Sequence, residues 1–113
     1  MNTNRRNLEI EAGTTYERTL RFFTDKERTQ PLDLTGYVMA AWMTRGSFRV
    51  EFDLEITDAE EGVAVMRLEP GQTRDVLPDK YVWDMMLKAP AGKVTKYIKG
   101  EVTIHPTATR LPQ

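Results

Sequence analysis

Apolar and polar residues alternate along most of the chain, which is typical of β-strands with one buried face. The clearest run lies between Phe48 and Ile56, where every second residue is apolar. The segment 37–43 is almost continuously apolar, as expected of a central strand that is covered on both faces. Further strands are predicted for the segments 8–11, 15–24, 63–68, 81–88 and 94–104.

Turn residues separate these strands. Pro31 begins a corner that ends at Gly36, where glycine can adopt the positive φ that a tight turn needs. Gly100 interrupts the last strand, which indicates a bulge or a close approach by another element. The segment 70–78, bounded by prolines, has room for one short helix. About eight strands and at most one short helix predict an all-β sandwich or barrel.

The composition of the chain is that of one ordinary globular domain. The 113 residues include 16 basic and 17 acidic side chains, interspersed along the chain, with a net charge of -1. This balance predicts neither a nucleic-acid nor a membrane partner. The chain has no cysteine and no apolar run behind its first residues, so we expect a soluble protein without disulfides or a signal peptide. We expect a single domain, 1–113, with flexible arms at 1–6 and 107–113.

Reactive side chains are scarce. Ser47 is the one serine and His105 the one histidine, so a Ser–His–Asp triad would need this pair. Ser47 lies in a predicted turn and His105 at the end of the last strand, and we interpret both as ordinary surface residues. Carboxylates cluster between Asp53 and Gly62 without the spacing of an EF-hand, which favours a solubilising edge, with a calcium site as the alternative. We therefore expect no catalytic residue, no cofactor and no metal.

Five residues are predicted to have structural roles. Trp42 and Trp83 are placed in the core, together with Phe22, Phe48 and Phe52. Asp84 lies on the strand face opposite to Trp83. If that face is covered, its carboxylate must accept hydrogen bonds from a neighbouring backbone loop, with an interface role as the alternative. Gly36 and Gly100 complete the structural set.

Candidate interface residues are aromatic or arginine, the types that protein interfaces favour. Phe23 and Tyr97 fall on predicted faces with charged neighbours, so we expect them to be surface anchors. Arg5, Arg6 and Arg110 lie in the predicted arms, where guanidinium groups could pair with carboxylates of a neighbouring protein.

The order of several short phrases resembles a known group of proteins. The phrases are Leu8–Gly13 with Thr15-Tyr16, Pro31–Tyr37, Gly62–Leu68, Leu77-Pro78 before Tyr81–Asp84, and Gly92 with Ile98–Val102. Together they resemble small β-sandwich proteins encoded among the structural genes of tailed bacteriophages and prophages. They also resemble the N-terminal anchoring domains of some phage baseplate and tail-fibre proteins. The chain departs from this pattern at Asp79-Lys80, where a glycine is usual before the tyrosine.

The resemblance implies an Ig-like β-sandwich that serves as a non-enzymatic virion structural protein in the tail, the neck or on the capsid. Such a protein is made in the host cytoplasm and assembles in multiple copies with other phage structural proteins. The alternative is a carbohydrate-binding module that aids host adsorption. Exposed, coplanar aromatic rings on one sheet face would favour that alternative, and full burial of both tryptophans would count against it.

Overall fold

The alternating segments build two β-sheets around a shared core. The structure is a computed structural model that describes residues 4–109 and 111. Its elements are β1 (Asn4–Arg5), β2 (Leu8–Glu11), β3 (Tyr16–Arg21), β4 (Val38–Arg45), β5 (Phe48–Glu51), β6 (Asp53–Asp58), β7 (Val63–Leu68), α1 (Pro70–Thr73), β8 (Lys80–Lys88) and β9 (Val94–His105).

Sheet A has six strands in the order β1-β9-β8-β4-β5, with β2 also paired to β9. β1 and β2 run parallel to β9, and the other pairs are antiparallel. Sheet B has the order β3-β7-β6 and is antiparallel. The prediction of an all-β sandwich with at most one short helix is confirmed. The described residues form nine strands rather than about eight, because one predicted strand is divided between the sheets and β1 lies in a predicted arm.

That division occurs at Phe52. The alternating run from Phe48 to Ile56 predicts one strand, but β5 pairs with β4 in sheet A and β6 pairs with β7 in sheet B. Phe52 is buried at the corner, and its backbone N–H donates to the Ala41 carbonyl at 2.9 Å. The alternation continues through the corner because β5 and β6 face the same core. Phe48 lies at the far end of the run and is 46% exposed, so its expected core position is wrong.

The N-terminal segment is paired at the position where the sequence predicts a flexible arm. Arg6 donates its backbone N–H to Lys99 O at 2.9 Å and accepts the indole N–H of Trp83 at 2.8 Å. Trp83 is 2% exposed, and a buried indole donor needs an acceptor. Asn4 and Arg5 therefore form a strand of sheet A, and Arg6 is hydrogen-bonded to that sheet, whereas residues 1–3 lie outside the described part. At the other end, Thr107–Thr109 form no regular element and are exposed.

Gly100 makes room for this segment. It lies opposite Trp83 in the β8–β9 ladder, and a Cβ on Gly100 would lie 2.0 Å from the carbonyl oxygen of Arg6. A close approach by another strand therefore explains this glycine. At the second predicted glycine, Gly36, φ is +79°, and an added Cβ would lie 2.9 Å from Cγ of Pro90.

A bulge in β9 moves Tyr97 into the core. The β8–β9 register shifts between Met85, which pairs with Ile98, and Met86, which pairs with Lys96, so Tyr97 is the extra residue. Its ring lies 4.8 Å from that of Phe22, and its side chain is 7% exposed. The expectation that Tyr97 is a surface anchor is wrong, because the bulge reverses the faces of the strand on either side of it.

Gly100→Ala is expected to lower the free energy of unfolding by about 1–3 kcal/mol, because the added methyl group must displace the backbone of Arg6. Denaturant unfolding measures this difference. Gly71→Ala is the matched control, since a Cβ there meets no atom within 4 Å. Equal stability of Gly100→Ala and the parent would contradict the close approach.

Candidate functional site

The outer face of sheet A exposes a patch of apolar side chains. Its exposed large apolar residues are Val38 (64%), Trp42 (37%), Val82 (59%), Met86 (37%) and Val94 (56%). The ladder register sets Ala40 opposite Met86 and Trp42 opposite Asp84, so the residues of β4 and β8 adjoin across the sheet. A shallow cavity of about 600 Å³ lies on this face. We call this surface the outer face.

Trp42 lies on the outer face between Asp84 of β8 and Glu51 of the edge strand β5. The guanidinium carbon of Arg49 lies 4.1 Å from the centre of its ring, in the geometry of a cation–π contact. Its expected place in the core is wrong, because sheet B covers one face of β4 and leaves the other open. Ala41 and Met43 occupy the covered face. The apolar run that indicated a strand covered on both sides is thus half core and half surface.

Asp84 also lies on this open face. Its side chain is 42% exposed, and its Oδ2 lies 3.3 Å from Nζ of Lys96. The expectation that this carboxylate holds a neighbouring backbone loop is wrong, since the face that carries it is not covered. An ion pair this exposed contributes little to stability.

Charged residues surround the apolar patch. Lys99 lies opposite Asp84 in the ladder, and Arg5 lies 3.7 Å from Glu101 at the β1 edge. An apolar centre that contains Trp and Met, with a charged rim, is the composition of protein interfaces. Among the described residues that line this cavity, Trp42 is the one exposed aromatic side chain. The row of rings that a carbohydrate-binding module would present is therefore not found there.

The remaining interface candidates converge on a different place. Arg5, Arg6, Phe23 and Tyr97 all line a second cleft, between β1 of sheet A and β3 of sheet B. Phe23 is half-buried there, and Tyr97 contributes a wall, its hydroxyl accepting the backbone N–H of Phe23 at 3.3 Å. Arg110 lies outside the described residues. Period-2 patterning alone could not show that these separate segments meet.

Two loops are fixed by carboxylates that accept hydrogen bonds. Asp33 accepts from the hydroxyl and the backbone N–H of Thr35, and these bonds hold the pKa of Asp33 below its usual value. Asp25 accepts from the hydroxyl of Thr29 and from the backbone N–H of Gln30, which lowers its pKa in the same way. Both carboxylates are thus ionised and committed to loop structure at neutral pH.

His105 and Ser47 are the two side chains that a catalytic triad would need. His105 Nε2 lies 2.9 Å from Oε1 of Glu9 on the neighbouring strand, and Ser47 is exposed in a turn. Over residues 4–109 and 111, no three His, Cys, Asp or Glu side chains are grouped so as to hold a metal ion. In the same part of the chain, no helix has the length and apolar character to cross a bilayer.

Comparison with known proteins identifies the fold. The sequence matches no protein-family model and no curated protein. Among solved structures, a chicken TCR is similar with a TM-score of 0.58 and 11% identity, over 95% of this chain and 56% of that chain. An internalin-like protein of Listeria monocytogenes aligns with a TM-score of 0.46 and 14% identity, over 91% of this chain and 28% of its own. The chain thus spans little more than half of the TCR chain. The TCR similarity shows an Ig-like β-sandwich.

Trp83→Ala is expected to lower the free energy of unfolding by about 3–5 kcal/mol, because it leaves a cavity and removes the donor to Arg6. Trp42→Ala is its matched control and is expected to cost about 1 kcal/mol, since it removes mainly the cation–π interaction with Arg49. Denaturant unfolding of both variants separates the two sites. Equal losses of stability would contradict the assignment of Trp42 to the surface.

Asp84→Asn is expected to change the free energy of unfolding by less than about 0.5 kcal/mol, because it removes one exposed ion pair. The small difference should shrink further at high salt, which screens exposed charges. Unfolding at low and high salt measures both effects. A salt-independent loss of about 1.5–3 kcal/mol would show instead that the carboxylate holds buried donors.

Proposed function

We propose that this chain is a non-enzymatic structural protein of a tailed-phage particle, in the tail, the neck or on the capsid. It is made in the host cytoplasm, enters the virion in multiple copies, and acts through contacts with other phage structural proteins. The observation that carries the proposal is the outer face of sheet A, an apolar patch that includes Trp42. The ordered phrases along the sequence supply the phage setting.

The outer face has the properties that docking requires. Covering Val82, Met86 and the open part of Trp42 would remove apolar surface from water, at about 25 cal/mol per Å². The half-exposed pair of Asp84 and Lys96 would lose water on docking, so it contributes to the choice and orientation of the partner more than to affinity.

The strand framework holds this face in position before a partner arrives. β4 and β8 lie inside sheet A, each with a neighbouring strand on both sides. A preorganised surface loses little conformational entropy on binding, so even a small patch can contribute useful affinity. Repetition of the contact by many copies in one particle would multiply that affinity.

Trp42→Glu is expected to reduce the amount of this protein in purified particles by about tenfold or more, because a charge replaces the largest apolar side chain of the docking patch. The amount is measured by quantitative mass spectrometry, relative to another virion protein. Leu77→Glu is the matched control, since Leu77 is 72% exposed outside the outer face.

Thermal melting must show that both variants fold. Normal amounts of Trp42→Glu in the particle would show that the outer face is not the docking surface. Absence of the parent protein from particles made by its own phage or prophage would overturn the virion role itself.

A further inference from the structure

The cleft between β1 and β3 is strongly basic. Its volume is about 730 Å³, and it opens where an edge strand of sheet A meets an edge strand of sheet B. Of the residues that the structure describes, five cationic ones line it, against one acidic residue, Asp25. The cations are Arg5, Arg6, Arg21, Lys26 and Arg28.

The single acid does not neutralise this cleft. The carboxylate of Asp25 accepts hydrogen bonds from Thr29 and Gln30. Arg6, Arg21 and Lys26 form no ion pair with any described residue.

The two remaining cations have weak partners. The guanidinium of Arg28 lies 4.9 Å from the ring centre of Phe23. Arg5 has a loose contact of 3.7 Å with Glu101. The cleft thus holds positive charge that the described residues leave uncompensated.

The opposite edge of sheet B is acidic. The segment 53–61, which contains β6, has five carboxylates and no lysine, arginine or histidine. All five are exposed, and none forms an ion pair with a described residue. They are Asp53, Glu55, Asp58, Glu60 and Glu61. Although the net charge of the chain is close to zero, its surface carries a basic cleft and an acidic edge.

The strand order separates these surfaces. β3 and β6 are the two edges of sheet B, with β7 between them, so the cleft opens at one edge and the carboxylates lie along the other. An edge strand also has backbone N–H and C=O groups without a partner in its own sheet. β6 therefore presents both negative charge and free backbone hydrogen-bonding groups to a neighbouring molecule.

We propose that copies of this chain associate side by side, with the acidic β6 edge of one copy in the basic β1–β3 cleft of the next. A second copy has a cation-rich cleft for the acids of the first copy and an acidic edge for its cations. Because the two surfaces differ, the contact is heterologous. Repetition of a heterologous contact gives a ring when the rotation closes and an open chain when it does not.

This inference deepens the multi-copy part of the proposed function, and it is tested on the isolated full-length protein. Sedimentation velocity at low salt is expected to show association that increases with concentration. At about 1 M NaCl, where the Debye length is about 3 Å, the association should be largely lost. A protein that remains monomeric at all concentrations at low salt would overturn the inference without affecting the outer face.

Charge reversal identifies the surfaces. Arg21→Glu with Lys26→Glu and Arg28→Glu leaves two described cations against four acids in the cleft, which makes the cleft acidic. Asp53→Lys with Glu55→Lys and Asp58→Lys leaves two acids against three lysines in the segment 53–61, which makes the edge basic. Each triple variant alone is expected to associate at least about tenfold more weakly than the parent, because like charges then face each other. An equimolar mixture of the two is expected to regain association, since the acidic cleft of one can accept the basic edge of the other.

Lys80→Glu with Lys88→Glu and Lys93→Glu is the control for the cleft variant, with the same change in net charge at exposed residues outside both surfaces. This variant is expected to associate like the parent. A comparable weakening in the control, or failure of the mixed variants to associate, would overturn the pairing of cleft and edge. Binding of a separate acidic peptide by a chain that does not self-associate would assign the cleft to a different partner and would likewise overturn it.

Discussion

The hydrogen bond from the buried indole of Trp83 to the carbonyl of Arg6 orders the part of the molecule on which both proposed surfaces depend. It attaches the N-terminal segment to the edge of sheet A, and Gly100 leaves the space for that attachment. Arg5, on the attached strand, then lines both the cavity of the outer face and the basic cleft. One buried donor thus connects the core to the two proposed surfaces, and its removal would disturb both.

The corner at Phe52 separates residues of the outer face from residues of the acidic edge. Before it, Arg49 belongs to sheet A and covers one side of the Trp42 ring. After it, Asp53 and Glu55 belong to β6 and form part of the acidic edge of sheet B. A single alternating run of residues therefore contributes to the outer face of one sheet and to a charged edge on the other. Phe52 fills the core between them and fixes the direction of each strand.

Much of the fold could be predicted from the sequence, because alternation reports directly which strand faces are buried. The strands, the corner at Gly36 and the single helical turn all follow from local rules. Local rules fail where a residue's surroundings come from distant segments. The bulge at Tyr97 reverses the faces of β9, and the pairing of Arg6 with Trp83 joins residues far apart in the chain. Neither leaves a signal in a period-2 pattern.

The candidate site shows the same limit. An apolar run such as 37–43 predicts a strand but cannot say how many of its faces another sheet covers, so the pattern puts Trp42 in the core and Asp84 beside a covered loop. Charge balance likewise conceals the separation of the acids in 53–61 from the cations of the cleft, because that separation depends on strand order. The sequence shows which residues are of a type that suits an interface, but it does not show how they are grouped on the folded surface.

Oxidative footprinting of assembled particles tests docking through the outer face most directly, since it compares the exposure of individual side chains in the free and assembled protein. Trp42 and Met86 are both 37% exposed in the free chain and react readily with hydroxyl radicals, whereas Leu77 lies outside the outer face and serves as the reference. We expect Trp42 and Met86 to become protected in the particle while Leu77 does not. Equal oxidation of Trp42 and Met86 in the free protein and in the particle would contradict docking through the outer face.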